Sequence, residues 1–270
     1  MSTRPIGIFD SGIGGLTIAR AVANRLPFAP ILYFGDTAHL PYGDKSRELI
    51  RHFSSRISHH LRDQGSRLMV VACNSASSNA LDAVHDALGP SFPVVDVVSP
   101  VVEGVSQQFP GGKVGVIGTR ATIDSGIYQR EFQVRGCQVV ARATPLLASA
   151  IEEGFAENAV SEALLQAYLG DGAFDSVDAM VLGCTHYPLI AHQIRHFVPD
   201  TVQIVDSPAW VAERVARVLG EPPADAQSVH ALPKPHHRFL VSDLTPSFAL
   251  GAKRFFGEDV QLEESRLWDL

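Results

Sequence analysis

The sequence predicts an α/β protein of two similar domains, whose mainly parallel sheets face each other across a central cleft. Short apolar runs alternate with helical patterns, which is typical of parallel sheets with helices on their faces. Several runs are apolar throughout, as in strands that are covered on both faces. Two segments also recur at nearly constant spacing. With 270 residues, 46% of them hydrophobic, the chain is long enough for one or two domains with a true core.

The elements are predicted from β-branched apolar runs and from helical periodicity between them. Strands are predicted at residues 6–9, 31–34, 68–72, 94–97, 114–117, 139–141, 179–182, 202–205 and 238–241. Helices are predicted near residues 16–26, 46–64, 77–88, 125–135, 160–169, 190–197, 210–219 and 246–255. Residues 220–235 are rich in Pro, Ala and polar residues and are predicted to form a surface loop.

The repeat concerns strands that end in small or polar residues. MVVACN at residues 69–74 resembles MVLGCT at 180–185, and IGIFDS at 6–11 resembles VGVIGT at 114–119. One explanation is chance, because only a few positions match. The other is a pair of related domains facing one another. Since ligands bind beyond the carboxyl ends of parallel strands, the second explanation places Cys73 and Cys184 on opposite walls of one cleft.

Charge and cysteine content exclude several classes of function. The net charge is −7, from 22 basic and 29 acidic residues, and no basic stripe is visible, so nucleic acid is not an expected partner. The three cysteines form no CxxC pair, and the histidine pairs at 59–60 and 236–237 lack a third ligand at suitable spacing, so no metal site is expected. With no apolar run of 18 residues and no signal peptide, we expect no membrane association and a cytoplasmic protein.

Two cysteines at equivalent repeat positions are suited to inverting a carbon centre. Inversion needs a base on one face and an acid on the other, and a thiol can serve as either if its surroundings stabilise the thiolate. Cys73 and Cys184 each follow an apolar strand and precede a polar turn into a predicted helix, where the helix dipole favours a thiolate. The competing interpretation is that both are ordinary buried cysteines. Cys137 lacks such flanks and is predicted to be a core or surface thiol.

Three other segments carry candidate site residues. The DSGIGG turn at residues 10–15 can offer backbone N–H groups to a carboxylate, although Asp10 could instead simply cap the next helix. The loop at residues 35–43 contains Asp36, which is either a site residue or a turn acid, and a Pro-Tyr-Gly unit. His186, two residues after Cys184, is placed to hold a proton or to orient a carboxylate.

Together, these motifs resemble those of the glutamate racemases, within the aspartate/glutamate racemase family. The matching segments, in chain order, are IFDSGIGGL at residues 8–16, GDTA at 35–38 with PYG at 41–43, ACNSAS at 72–77, GTRAT at 118–122 and LGCTHYPL at 182–189. This family comprises cofactor-independent bacterial isomerases that make D-glutamate for peptidoglycan. The resemblance therefore implies glutamate as substrate and no cofactor.

The resemblance also implies roles for individual residues. It implies that Cys73 takes the proton from D-glutamate and Cys184 from L-glutamate, and that Asp10 and His186 assist the two thiols. The implied substrate-contacting residues are Asp10, Ser11, Tyr42, Gly43, Asn74, Ser75, Thr185 and His186. Supporting roles are implied for Asp36, Thr119, Thr122 and Glu152. Two positions depart from the family pattern: Ser75 stands where Thr is usual, and Ser149 stands where Pro often precedes the helical acid.

The family fold implies that the chain crosses between domains twice. The first domain is then predicted to comprise residues 1–97 and 208–270, and the second residues 98–207. A homodimer is expected, although the interface cannot be assigned from the sequence. Two alternatives stay open at this point: a racemase acting on aspartate or a hydantoin, and a non-catalytic protein whose cleft closes on an amino acid.

Overall fold

The computed structural model describes residues 4–156, 158–221, 235–257 and 260–268, and in these ranges the strands form two sheets. The first sheet has six strands in the order β10-β9-β2-β1-β3-β4, and the second has four in the order β6-β5-β7-β8. Every pairing between neighbouring strands is parallel. The carboxyl ends of the strands in each sheet therefore lie at one edge.

The strands are β1 (Ile6–Asp10), β2 (Ile31–Gly35), β3 (Leu68–Val71), β4 (Val94–Asp96), β5 (Lys113–Gly118), β6 (Gln138–Ala143), β7 (Ala179–Gly183), β8 (Gln203–Val205), β9 (Arg238–Val241) and β10 (Leu262–Glu264). The α-helices are α1 (Leu16–Arg25), α2 (Arg47–Asp63), α3 (Asn74–Asn79), α4 (Leu81–Leu88), α5 (Ser99–Gln108), α6 (Arg120–Asp124), α7 (Ile127–Val134), α8 (Leu147–Glu152), α9 (Ala159–Leu169), α10 (Ala191–Arg195), α11 (Pro208–Leu219) and α12 (Pro246–Phe256). Three 3₁₀ helices span Thr37–His39, Tyr42–Asp44 and Tyr187–Ile190.

The two sheets share one strand order, and this confirms the predicted fold of two similar α/β domains. In the first sheet β2-β1-β3-β4 are neighbours, and in the second β6-β5-β7-β8 are neighbours in the same relative order. Strands β3 and β7, which precede Cys73 and Cys184, thus occupy equivalent places. The first sheet is extended beyond β2 by β9 and β10. The division at residues 97/98 and 207/208 stays a prediction.

Helices cover both faces of the central strands, which explains why those strands are apolar throughout. In β1, Ile6 and Ile8 pack into a cluster with α1 and α11, whereas Phe9 packs on the opposite face with α2 and α4. A third cluster lies between the second sheet and helices α5 and α7. Burying both faces of a strand gives a continuous apolar run instead of alternation.

All nine predicted strands are present, with small shifts at their ends. Strand β10 was missed because its sequence, LEE, has no apolar run and is mostly exposed. The predicted helix at 77–88 is wrong as a single element: it is two helices, α3 and α4, separated at Ala80. Helix α5 was also missed, because its valines favour strands by propensity and only their burial selects the helix. Most of the predicted 220–235 loop, residues 222–234, lies outside the described residues.

No helix in the described part of the chain is both long and apolar enough to cross a membrane.

Candidate active site

A small cavity of about 30 Å³ lies where the carboxyl ends of the two sheets meet. Each segment that lines it follows a strand: β1, β2 and β3 from the first sheet, and β5, β6 and β7 from the second. The lining residues are Asp10, Ser11, Leu40, Pro41, Tyr42, Gly43, Cys73, Asn74, Ser75, Thr119, Ala148, Glu152, Cys184, Thr185 and His186. The cavity therefore occupies the position that the sequence predicts for a ligand of a parallel-sheet protein.

The turn after β1 folds tightly around the Asp10 carboxylate. Its Oδ2 accepts hydrogen bonds from the backbone N–H groups of Gly15 (2.9 Å) and Gly12 (3.3 Å). A Cβ on Gly15 would lie 3.0 Å from Cγ of Asp10, so this position requires glycine. Burial raises the pKa of Asp10, opposed by His186 and by the two N–H groups. Asp10 thus shapes the turn, as a capping residue would, and it also lines the cavity.

Cys73 stands at the N-terminus of α3, directly after β3. Its sulfur accepts a hydrogen bond from the Ala76 N–H at 3.4 Å, and its thiol lies 3.7 Å from Oγ of Ser11. The residue is 4% exposed. Burial raises the pKa of the Cys73 thiol well above its ordinary value, and the Asp10 carboxylate raises it further. The Ala76 and Ser11 hydrogen bonds lower it, but they do not outweigh burial.

The second thiol lies in a chain of three polar side chains. Sγ of Cys184 is 3.5 Å from Nδ1 of His186, and Nε2 of His186 is 2.9 Å from Oε1 of Glu152. Burial lowers the pKa of His186, but the negative charges of Glu152 and of Cys184 outweigh it and hold the pKa well above its ordinary value. His186 therefore lies between a carboxylate and a sulfur, both of which favour its protonated form.

The structure corrects the expectation that a helix N-terminus favours a thiolate at both cysteines. Cys73 does cap a helix, yet burial and Asp10 keep its thiol protonated. Cys184 caps no α-helix; the chain beyond it forms a 3₁₀ helix that starts at Tyr187. The group next to the Cys184 sulfur is His186, with Nδ1 at 3.5 Å, and the sequence indicated it only by its position two residues further along the chain.

Asn74 and Ser75 lie on the first turn of α3 and connect the two domains. Oδ1 of Asn74 accepts a hydrogen bond from the Tyr128 hydroxyl at 2.8 Å. Oγ of Ser75 is 2.8 Å from Oγ1 of Thr119, in the turn after β5. Ser75 therefore makes a hydroxyl contact across the cleft.

Tyr42 is held in the cavity wall by Asp36, which lies behind it. The Tyr42 hydroxyl donates to Oδ2 of Asp36 at 2.6 Å, and Oδ1 accepts from Ser242 (2.8 Å) and from the indole N–H of Trp268 (2.8 Å). Asp36 is fully buried. It is thus a supporting residue that does not itself line the cavity.

Two polar atoms of the cavity residues are buried without a hydrogen-bond partner: Oδ1 of Asp10 and Nδ2 of Asn74. One is an acceptor and the other a donor. An acceptor and a donor that no protein group pairs are available to a ligand in this cavity. An ammonium group suits the Asp10 oxygen, and a carboxylate suits the Asn74 amide.

The structure brings most of the predicted site residues together. Twelve of the fourteen line the cavity, whereas Asp36 supports Tyr42 from behind and Thr122 lies beneath the wall, 3.0 Å from Thr119 through their hydroxyl oxygens. Leu40, Pro41 and Ala148 also line the cavity and were not predicted as site residues. Cys137 is buried elsewhere, 3.6 Å from the Phe109 carbonyl, so of the two predicted alternatives it is a core thiol. The described residues hold no cluster of three or more His, Cys, Asp or Glu that could bind a metal ion.

Comparison with known proteins agrees with this geometry. A glutamate racemase of Chlorobium phaeobacteroides is 40% identical over 260 residues, which covers 95% of this chain and 93% of that protein. The crystal structure of glutamate racemase from Francisella tularensis in complex with D-glutamate matches with a TM-score of 0.89 at 34% identity, over 99% of both chains. The enzyme from Thermus thermophilus in complex with β-chloro-D-alanine matches with a TM-score of 0.83 at 37% identity, over 97% of both chains.

The sequence model of the Asp/Glu/Hydantoin racemase family matches residues 16–215, which is most of the chain. The two facing parallel sheets and the cavity lined by both Cys73 and Cys184 are consistent with this match. The chain belongs to the Asp/Glu/Hydantoin racemase family.

Proposed function

We propose that the protein interconverts L- and D-glutamate without a cofactor, using Cys73 and Cys184 as the two acid–base groups. One observation carries this proposal: two thiols, at equivalent strand ends of opposite sheets, line one small cavity. A group on each side of the substrate can remove the Cα proton from one face and deliver a proton to the other. The relatives named above act on glutamate or bind D-glutamate, which supports this substrate.

The surroundings of the two thiols differ, and we propose starting states that fit them. Cys184, with Nδ1 of His186 3.5 Å from its sulfur, starts as the base, whereas Cys73, whose thiol pKa is raised by burial and by Asp10, starts as the acid. In this state the Cys184 thiolate removes the Cα proton of L-glutamate, and the Cys73 thiol donates its proton to the opposite face. The product is D-glutamate with a thiolate on Cys73 and a thiol on Cys184, which is the state that takes D-glutamate back.

Substrate binding is proposed to favour the thiolate of Cys73, which the reaction of D-glutamate needs. Its α-ammonium group is expected to bind the unpaired Oδ1 of Asp10, where it neutralises the carboxylate that raises the pKa of Cys73. A positive charge near the sulfur favours the thiolate. Asp10 is thus proposed to bind the ammonium group and, through it, to adjust the Cys73 thiol.

The carboxylates of glutamate are proposed to bind neutral donors. Nδ2 of Asn74 lacks a partner, and hydroxyls from Ser11, Ser75 and Thr185 lie in the cavity wall. Donors that bind the α-carboxylate take up part of the charge that develops when the Cα proton leaves. Tyr42 and Gly43 complete the wall, with the Tyr42 hydroxyl already committed to Asp36.

In the cell, we propose, this activity supplies D-glutamate for peptidoglycan synthesis in the cytoplasm. The proposal rests on the bacterial origin of the similar racemases. A homodimer is proposed on the resemblance alone. No cofactor is proposed, because a two-thiol proton transfer needs neither a Schiff base nor a Lewis acid.

The test is circular dichroism of D-glutamate incubated with the purified protein after exhaustive dialysis and with a chelator present. We expect the signal to decay to zero as the racemate forms. Aspartate serves as the control substrate and should be turned over far more slowly. Equal or faster turnover of aspartate would favour a sibling racemase, and an unchanged signal with bound glutamate would favour a non-catalytic binding protein.

A further inference from the structure

A second, larger cavity of about 560 Å³ lies directly outside the site, where the two domains meet. It shares Gly43 with the inner cavity. Its other walls continue from inner-cavity residues along the chain: Asp44 and Lys45 follow Gly43, and Arg120 follows Thr119. The two cavities are therefore adjacent.

The outer cavity is cationic, whereas the inner one is not. Lys45 and Arg47 line it from the first domain, and Arg120 and Arg130 line it from the second, against two acids, Asp44 and Asp124. No lysine or arginine is among the residues that line the described inner cavity, which contains two carboxylates and one histidine. This cluster of positive charge lies in a protein whose net charge is negative, at −7.

Half of this positive charge has no acidic counterpart among the residues that line the cavity. The Arg47 guanidinium donates to the Asn79 carbonyl and the Arg130 guanidinium donates to the Ser125 carbonyl, so both are held by neutral groups. Among the described residues, the ion pair within this cavity joins Arg120 and Asp44 at 3.9 Å, with both side chains more than half exposed. Exposed pairs of this kind are weak.

We infer that the outer cavity is an electrostatic vestibule that captures the anionic amino-acid substrate before it enters the inner cavity. This inference rests on the proposed function. A substrate with two carboxylates and one ammonium carries a net charge of −1 and is repelled by the protein as a whole. Cationic walls in a concave surface raise the local concentration of an anion and its rate of capture, by about 10- to 1000-fold in strongly charged clefts.

The test is the dependence of kcat/KM on ionic strength in the full-length protein. The variant is Lys45→Gln/Arg130→Gln, which removes one cation from each domain and leaves the Arg120–Asp44 pair in place. The matched control is Arg217→Gln/Arg266→Gln, which removes two exposed cations that line neither cavity and gives the same net charge.

We expect the vestibule variant to lower kcat/KM by roughly 3- to 10-fold at low salt through KM, with kcat unchanged. The loss should be equal for L- and D-glutamate, because a long-range field does not distinguish enantiomers. It should disappear at about 1 M salt, where the screening length falls to about 3 Å. Three results would each contradict the proposed vestibule: an equal loss of kcat/KM in the control, a loss of kcat in the vestibule variant, or an unchanged kcat/KM of that variant at low salt. Inactivity of the wild-type protein on glutamate would instead contradict the proposed function.

Discussion

Oδ1 of Asp10 and Nδ2 of Asn74 are two buried polar atoms of the inner cavity that no protein group pairs. An unsatisfied buried donor or acceptor costs about 1–3 kcal/mol. Binding of an α-amino acid supplies an ammonium for one atom and a carboxylate for the other, and these new hydrogen bonds contribute to the binding free energy.

Replacing Asn74 with Ala should lower kcat/KM for glutamate by about 10- to 150-fold, because a hydrogen bond to a charged group contributes about 1.5–3 kcal/mol. The matched control is Tyr128→Phe, which removes the hydrogen bond to Oδ1 of Asn74 from outside the cavity. Its loss should be clearly smaller. Steady-state kinetics on both enantiomers measures both effects, and wild-type kinetics in Asn74→Ala would show that the ligand binds elsewhere.

The raised pKa of His186 predicts how stability depends on pH. The folded protein retains a proton on His186 that the unfolded chain releases above its ordinary pKa of about 6.5. The stabilisation is therefore complete below about pH 6.5 and is lost as the pH rises toward the raised pKa.

Urea unfolding of the wild type and of His186→Gln, followed between about pH 6 and pH 8.5, tests this. The unfolding midpoint of the wild type should decline more steeply than that of the variant over this range. Parallel curves would mean that His186 is not protonated in the folded protein.

At the scale of elements, the turn between β1 and α1 connects the two halves of the site. A Cβ on Gly14 would lie 2.6 Å from Nδ1 of His186 and 2.6 Å from Oγ1 of Thr185, both of which belong to the opposite side of the cavity. The Thr17 hydroxyl in the next helix also lies 3.3 Å from the Thr185 carbonyl oxygen. Gly14 is thus required by the close approach of the two domains.

Gly14→Ala should therefore displace His186 from Cys184 and lower kcat by roughly 10²-fold, the typical effect of a displacement of about 1 Å at a reacting group. The fold should survive, which far-ultraviolet circular dichroism checks. A folded Gly14→Ala protein with unchanged kcat would show that the position of His186 does not matter for turnover.

The elements that could be predicted from the sequence are those whose own residues show an apolar or helical pattern. The central strands were found because burial on both faces makes them apolar throughout, as in β1 and β3. Cys73, Asn74 and Ser75 were found because they follow such a strand. Helix α5 and strand β10 were missed because neighbouring elements, and not their own composition, determine their conformation.

Contacts between distant segments could also not be predicted from the sequence. The pairing of Glu152 with His186 depends on how α8 packs across the cleft, and Ser149 in place of Pro did not prevent it. Leu40 and Ala148 line the cavity without any polar group that would mark them. The charge state of Cys73 could not be predicted from the sequence, because it depends on the balance between burial and hydrogen bonds in the folded protein.

At the scale of the whole molecule, the inner cavity is narrow. Its volume of about 30 Å³ leaves little room for an amino acid, so we expect the domains to separate when glutamate enters. The contacts that must open lie along the seam between them: Oγ of Ser75 with Oγ1 of Thr119 at 2.8 Å, and Nδ2 of Asn79 with the Ala121 carbonyl at 2.9 Å. The outer cavity lies beside this seam.

Saturating D-glutamate should shift the molecule toward the closed state and slow amide hydrogen exchange at the seam, in residues 42–45 and 118–124. Helix α9, which lies apart from the seam residues, is the internal control and should exchange at the same rate with and without ligand. Hydrogen exchange followed by mass spectrometry makes the comparison. Unchanged exchange at the seam, at a ligand concentration that saturates turnover, would contradict opening between the domains.

The central claim is that Cys73 and Cys184 act on opposite faces of one substrate. The most direct test measures racemisation and Cα hydrogen exchange in D₂O. It uses the purified variants Cys73→Ala, Cys184→Ala and Cys137→Ala. Racemisation should fall by at least about 10²–10⁴-fold in the first two variants and stay near wild type in the third. Each impaired variant should still exchange the Cα hydrogen of one enantiomer without inversion: L-glutamate in Cys73→Ala and D-glutamate in Cys184→Ala. Near-normal racemisation by a folded Cys73→Ala or Cys184→Ala protein, or the opposite pattern of exchange, would contradict the account.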